Sequence, residues 1–429
     1  MYLDLSTGLE RLCSRAAHVA CLVLAALVAT PAQSALIEDG SASLELRNFY
    51  HNQDQRQAHA AQSKAQEWAQ GAIFRYQSGY TDGLLGVGVD AFGFMGVRLD
   101  SGPGRAGSGL LPRDGDGRAE AEYGSFGLTA KLRVANTVLK SGVLLPKLST
   151  VQYNDTRLIP QTFKGTWLNS TDIPGLSVDA LYLDKTKLRD SSGYEALRLS
   201  NTAKRNAKVV SGNPEADHFA TLGGSYQWHK GLKTGYAYAS LEGIYEQHYL
   251  DAQYDLALSP SQTLKFDLRW AKSIGQSGTT VDNTMFGAMV SYRHAAHALA
   301  LGYQRMSGES GYAYLQGADA YLINFVMLGD FANKDEKSWQ ARYNYDFAGM
   351  GIPGLQFMVR YLHGDDIDTL TPGESAAKEY ERDMDLMYVI QSGPLKNVSL
   401  RWRNASVRSN FDRAIDENRL IIGYTVALW

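Results

Sequence analysis

The chain closes on an unbroken strand pattern, Arg419-Leu420-Ile421-Ile422-Gly423-Tyr424-Thr425-Val426-Ala427-Leu428-Trp429, whose last residue is aromatic. Leu420, Ile422, Tyr424, Val426 and Leu428 share one face, with Arg419 on the other; Trp429 is in phase with Arg419. A period of two is the signature of a β-strand. No segment past residue 34 offers the roughly 20 apolar residues that a membrane helix needs. The opposite end reads as a secretory segment: Arg11 and Arg15 give the positive region, 19–29 the apolar stretch, and Ala32-Gln33-Ser34 the small-residue cleavage site. An exported chain with this ending is best accommodated by a closed barrel, because only closure satisfies every strand's backbone in lipid. We therefore expect a signal peptide at 1–34 and, over 35–429, an all-β transmembrane antiparallel barrel in the outer membrane of a Gram-negative bacterium.

Composition narrows the chemistry. Both cysteines, Cys13 and Cys21, lie in the secretory segment, so the mature chain has no disulfide and no thiolate metal site. Lys plus Arg number 42 against 45 Asp plus Glu, a balance that argues against nucleic acid as a partner. With 25 Tyr and 42 Gly, and a mean hydropathy of −0.28, the chain suits strands with one face to lipid and one to water.

Alternation recurs along the sequence. Leu128, Ala130 and Leu132 interleave with Thr129, Lys131 and Arg133, and Leu264, Phe266, Leu268 and Trp270 with Lys265, Asp267 and Arg269. Trp339 through Phe347 and Leu355 through Tyr361 repeat the pattern, bringing in Arg342 and Arg360. Short breaks fall at 78–83, 134–136, 172–175, 228–231, 258–262, 294–297, 349–354 and 392–397. Ile-Pro-Gly-Leu occurs in two of them, and Pro followed by Gly is a tight-turn signal. Longer polar stretches lie between, at 53–66, 102–122, 146–160, 184–217, 307–337 and 364–381. Eight turns joining pairs of strands, with one further strand at each end, predict about 18 strands, short periplasmic turns and long extracellular loops. The first strand pattern starts just after the secretory segment, so we expect no plug domain.

Several blocks of sequence resemble the porin D (OprD) family. They are Leu36-Ile37-Glu38-Asp39 with Leu44-Glu45-Leu46-Arg47-Asn48-Phe49-Tyr50; Gly86-Val87-Gly88-Val89-Asp90-Ala91-Phe92-Gly93; Glu336-Lys337-Ser338-Trp339-Gln340-Ala341-Arg342-Tyr343; Gly351-Ile352-Pro353-Gly354-Leu355 with Phe357-Met358-Val359-Arg360-Tyr361; and Gln391-Ser392-Gly393-Pro394. The resemblance implies a monomeric barrel of eighteen strands that takes up small molecules, typically carboxylates. It implies an arginine ladder on one wall and a constriction made by inward-folded third and seventh loops. Arg133, Arg401, Arg403 and Arg419 match ladder positions, and Asp330 matches an acidic eyelet residue. Met387 stands where the family pattern implies a lysine, leaving a gap in the ladder.

Phase alone reaches the same arginines. Arg401 and Arg403 alternate with Leu400 and Trp402, and Arg419, Arg133, Arg342 and Arg360 likewise oppose apolar faces, as does Lys131. An Arg facing lipid at the midplane costs about 2–4 kcal/mol, so these groups are expected to face the lumen. Successive guanidiniums would pass a carboxylate along by replacing its hydration step by step. The plainer alternative, solvated charges on polar strand faces, stays open for each of them. Asp330 is either an eyelet acid or a loop-surface carboxylate, and Tyr153, Asp155 and Arg157 of the third loop either meet solute or brace the loop.

An enzyme is not expected. The histidines are scattered, and neither Gly-x-Ser-x-Gly nor His-Glu-x-x-His occurs. Asp365-Asp366-Ile367-Asp368 is a weak divalent-cation signal, and no cofactor or metal is implied. The expected function is passive, selective diffusion of small carboxylate-bearing nutrients. The alternatives are a channel for basic amino acids or peptides, and a non-conducting barrel acting as an adhesin or receptor. Expected partners are carboxylates or amino acids, outer-membrane lipid and lipopolysaccharide, and the barrel-assembly machinery acting on the C-terminal strand.

Overall fold

A computed structural model describes residues 33–57, 60–200, 214–369 and 377–429, so the secretory segment with Cys13 and Cys21 lies almost wholly outside the described residues. Among the described residues, eighteen antiparallel strands form the wall. They are β1 Ser41–Gln55, β2 Lys64–Gln77, β3 Gly86–Asp100, β4 Glu122–Val134, β5 Thr137–Leu144, β6 Thr162–Ser170, β7 Leu176–Lys187, β8 Phe219–His229 and β9 Leu232–Leu241. The second half comprises β10 Tyr245–Ser259, β11 Gln262–Gly275, β12 Asp282–His294, β13 His297–Gly308, β14 Lys337–Asp346, β15 Leu355–Ile367, β16 Ala377–Val389, β17 Ser399–Ser409 and β18 Ala414–Ala427. Each strand pairs with its sequence neighbours, and β1 pairs with both β2 and β18, Phe49 lying opposite Ala69 on one side and Ile421 on the other. That pairing closes the barrel and leaves no free edge for lipid to meet.

The predicted breaks are the turns of one rim. Ala135 and Ala295 open two-residue hairpins at φ 50°, the positive values that such turns demand. Gly175 and Gly354, from the two Ile-Pro-Gly-Leu segments, sit at φ 81° and 88°. The opposite rim departs from the expected asymmetry. Its connections at 242–244, 276–281 and 410–413 are as short as the turns, while 101–121, 145–161 and 309–336 are long. Trp429 falls just beyond β18, its ring 5.8 Å from that of Tyr76.

The outward face is apolar, with Leu264, Phe266 and Leu268 of β11 alternating against Lys265 and Asp267 as read. The inward face carries the cores. Leu158 and Ile159 of loop 3 (145–161) pack with Leu110 and Leu111 of the preceding loop against Phe49, Ile73 and Phe94. Loop 7 (309–336) packs Leu315 and Ala318 against Phe163, Leu183 and Phe219. Each full burial of such an aliphatic side chain contributes about 1.5–3 kcal/mol, so the loops are held inside by the same force that builds a soluble core. Glycine makes room for them: a Cβ on Gly302 would stand 3.1 Å from Ile323, and one on Gly287 2.8 Å from it.

Gly142 of β5 is among the least replaceable positions in the wall. Its φ is 136°, and a Cβ there would stand 2.1 Å from the Leu128 carbonyl oxygen, which is backbone and has nowhere to go. Gly142→Val is expected to destabilise the barrel by about 2 kcal/mol or more. The fraction of protein showing heat-modifiable mobility on a denaturing gel should fall accordingly.

Candidate functional site

The loops meet in the lumen and are tied to one another as well as to the wall. In loop 3, Asn154 donates its side-chain amide to Asp319 of loop 7 at 2.7 Å, and the Asp319 N–H donates to the Gln152 carbonyl at 2.9 Å. Arg189, in the connection after β7, donates to Asn154 Oδ1 at 3.0 Å and to Thr156 Oγ1 at 2.7 Å. A third tie joins that connection to loop 7 through the bridge between Leu199 and Leu315. On the wall side, Gln340 of β14 donates to the Ile323 carbonyl and Gln304 of β13 to that of Phe331. The Glu381 carboxylate of β16 accepts the N–H groups of Leu328 and Gly329 at 2.9 and 2.6 Å. Arg413 donates to the Leu328 carbonyl.

Between these loops and the wall lies a cavity of about 360 Å³. Three arginines, Arg157, Arg189 and Arg413, and three acids, Asp190, Asp319 and Asp330, line it, with Tyr314 and Phe325 adding ring surface. Asp330 is almost fully buried and accepts from the Tyr314 hydroxyl at 2.8 Å. Burial, together with the nearby Arg419 and Arg189, pushes the Arg157 guanidinium well below its ordinary pKa. A fixed cation crowded by others in a dry site is a point where an incoming anion relieves repulsion. Burial also pushes the Asp319 carboxyl up to about 7, against the pull of Arg189.

Further arginines stand on the inward register of the adjoining wall. Arg342 of β14 faces Arg360 of β15; Arg360 pairs with Asp383 of β16 at 2.7 Å. Arg401 and Arg403 of β17 share Asp385, at 2.8 and 3.2 Å. Arg403 is directly opposite Arg419 of β18, which pairs with Glu417 and donates to the Met327 carbonyl of loop 7. Arg47 of β1 holds loop 3, pairing with Asp155 at 2.8 Å and donating to the Arg157 carbonyl at 2.6 Å. Arg75 of β2 shares Glu45 with Arg47. Met387 faces Arg401 across β16 and β17.

Other residues singled out from the sequence sit elsewhere. Lys131 is buried in an ion pair with Asp90 at 2.7 Å and donates to the Ser78 carbonyl, near the turn rim. Arg133, exposed, has its guanidinium 4.3 Å from the Tyr80 ring. Tyr153 packs against the core under loop 3, with the Lys147 ammonium 5.1 Å from its ring. The sequence reading passed over Arg47, Arg75, Arg189 and Arg413 and the acidic partners on the wall. One signal was available: Glu379, Glu381, Asp383 and Asp385 alternate with Tyr380, Arg382, Met384 and Leu386, a period-two row of carboxylates on one face of β16.

Residues 34–428 match the family model described as outer membrane porin, OprD family. The chain belongs to the OprD family of outer-membrane porins. It is 33% identical over 418 residues to Porin D of Pseudomonas aeruginosa, covering 91% of this chain and 92% of that one. Among solved structures it is similar to P. aeruginosa OpdQ, with 50% identity, a TM-score of 0.85, and coverage of 92% of this chain and all of that one. It is also similar to P. aeruginosa OpdK, crystallised with vanillate, at 36% identity and a TM-score of 0.84, over 92% of this chain and all of that one. As an OprD-family porin the protein is a passive channel of the Gram-negative outer membrane, not an enzyme, and it passes small-molecule substrates.

Two measurements follow. Loop 3 is held at Arg47, so Asp155→Ala should loosen it and raise single-channel conductance, at a cost of about 1.5–3 kcal/mol for the lost charge-assisted bond. Asp319 gains negative charge as pH rises through about 7. Reversal potentials in a salt gradient should therefore move toward cation preference between pH 5.5 and 8.5, and Asp319→Asn should abolish that movement.

Proposed function

We propose that this porin is selective for small solutes bearing a carboxylate, which travel along the arginines of β14, β15, β17 and β18 and through the loop-lined cavity. The observation that carries the reading is the row Arg342, Arg360, Arg401, Arg403, Arg419, continued by Arg47 and Arg75 on the same face. Except at Arg342, carboxylate partners hold the guanidiniums in place but leave donors over. Arg342 donates Nε to Asn344 and, among the described residues, has no carboxylate within 4 Å, while the Arg401 side chain is 39% exposed. A guanidinium presents five donors in a fixed fork, so one bound carboxylate does not exhaust it. Passage then requires binding strong enough to replace hydration and shared among enough sites for release.

OpdK, a relative at 36% identity, was crystallised with vanillate, an aromatic carboxylate, which supports the same solute class here. Tyr314 and Phe325 beside Arg157 and Arg413 supply the ring contacts that such a solute would use. A second reading rests on the three acids in the cavity: paired across from three arginines, they suit an amino acid, whose ammonium would meet Asp319 or Asp190 while its carboxylate meets Arg157. Lipopolysaccharide outside the wall and the assembly machinery at β18 complete the partners in this reading.

Single-channel recording with one-sided addition of benzoate, vanillate, glycine and arginine separates these readings. Carboxylates should interrupt the current, and Arg401→Ala and Arg403→Ala should each shorten the blocked time about tenfold, the worth of one charge-assisted hydrogen bond. Blocking by amino acids alone would favour the second reading. Unchanged blocked times in both variants would overturn the arginine pathway.

A further inference from the structure

The lumen accounts for the inward arginines but not for a second set of cations, on the outside of the wall. Arg305 of β13, Lys337 of β14, Arg382 of β16 and Arg408 of β17 point away from the lumen, in phase with the apolar face. Each stands seven to nine residues from the turn end of its strand, Arg305 eight after His297 and Arg382 seven before Val389. At about 3.3 Å per residue on a strand tilted about 40°, that is about 20 Å up the wall, near the top of an apolar band about 25 Å tall. Lys378 lies two pleat repeats higher, beyond Tyr380 on the same face.

Aromatic rings mark the level. Tyr303, Trp339, Tyr361 and Tyr380 are all exposed on this outer face, with centroids 5.6 Å apart for Trp339–Tyr361 and 6.3 Å for Tyr361–Tyr380. Leu299, Leu301 and Leu386 lie below them, exposed as lipid contacts. Rings over an apolar band mark the membrane–water interface, so the cations stand at headgroup height.

Their pairing is incomplete. Arg305 is directly opposite Lys337, and like charges facing across a strand pair destabilise it. Lys337 has Asp366 at 2.7 Å and faces Asp365; Arg408 and Arg56 share Asp416. Among the described residues, Arg305, Lys378 and Arg382 have no carboxylate within 4 Å, Arg382 donating only to Asn404 at 2.6 Å. On the far side of the same rim Glu242 and Glu246 stand instead, and the outward Lys272 of β11 is paired with Asp282.

We propose that this outer face binds the phosphorylated headgroup of the outer-leaflet glycolipid, lipopolysaccharide, with one phosphate between Arg305 and Lys337 and another at Arg382. β13 and β16 are three strand spacings apart, about 14 Å, which matches a disaccharide with a phosphate at each end. The rings seat the sugar and the exposed leucines take the acyl chains. The occupant is fixed by the combination: anionic groups for the cations, a sugar for the rings, and hydrocarbon below.

The test uses the full mature porin in detergent, freed of lipopolysaccharide, with native mass spectrometry counting adducts. The probes are bisphosphorylated lipid A, the same lipid stripped of phosphate, and inorganic phosphate. Lipid A should bind the wild type, and Arg305→Ala with Arg382→Ala should weaken it about tenfold or more, as expected for two surface cations near an anionic lipid. Single-channel conductance of the double variant should match wild type, which establishes that the barrel is intact and that the lumen is a separate matter. Equal binding of lipid A to the double variant would overturn the site. So would equal binding of the stripped lipid, which would reduce it to an apolar contact, or full competition by inorganic phosphate, which would make it a plain phosphate site.

Discussion

Everything in this molecule depends on one pairing, that of β1 with β18. Until those two strands meet, each exposes a row of unpaired N–H and C=O groups, and in hydrocarbon every such group costs several kcal/mol. Once they meet, the wall has no edge, and it can afford an apolar exterior and an interior crowded with charge. The loops can then turn inward, because the lumen gives them a second surface on which to bury Leu158, Ile159 and Leu315. The candidate site is therefore a consequence of closure: a ring of strands supplies the guanidiniums, and the loops packed inside it enclose the cavity beside them.

Much of the wall was legible in the sequence because strand phase is local. A residue's face follows from its neighbours two places away, so Arg401, Arg403 and Arg419 could be assigned opposite Leu400, Trp402 and Leu420 without knowledge of the rest. Turns were legible for the same reason, since Pro353 fixes φ and Gly354 admits the positive φ of 88° that the turn requires. What phase does not give is which inward groups meet. Arg189 and Asn154 are 35 residues apart, and Asn154 and Asp319 are 165 apart, so their contacts rest on tertiary packing. Lys131 and Arg401 look alike as inward cations, yet one is sealed against Asp90 and the other stays partly exposed beside Asp385. Depth along the strand and the nearest carboxylate make the difference, and neither is a property of the residue's own neighbourhood in sequence.

The cations of the lumen are interleaved with acids, several of them shared. Asp383, Asp385, Glu417 and Glu45 stand among Arg360, Arg401, Arg403, Arg419, Arg47 and Arg75, so no strand carries an unrelieved stack of like charge. A bare row of guanidiniums would repel itself and bind a solute too tightly to release it. Shared carboxylates fix the side chains as well, since Asp385 locks two arginines with one acid; on the proposed pathway that leaves fewer rotamers to freeze on binding.

The outer rim is uneven. The connection after β9 is three residues long and that after β11 six, while loop 7 leaves the same rim with twenty-eight and turns inward. Over those two short hairpins the rim has a low sill, and loop 7 fills the inner side of that sill, where its Ala313 and Leu315 pack with Leu241, Ile244, Tyr245 and Val281. The short hairpins thus leave that stretch of wall for loop 7 to cover, and the cavity is displaced to the other side of the barrel, beside Gln53, Arg413 and Ile415.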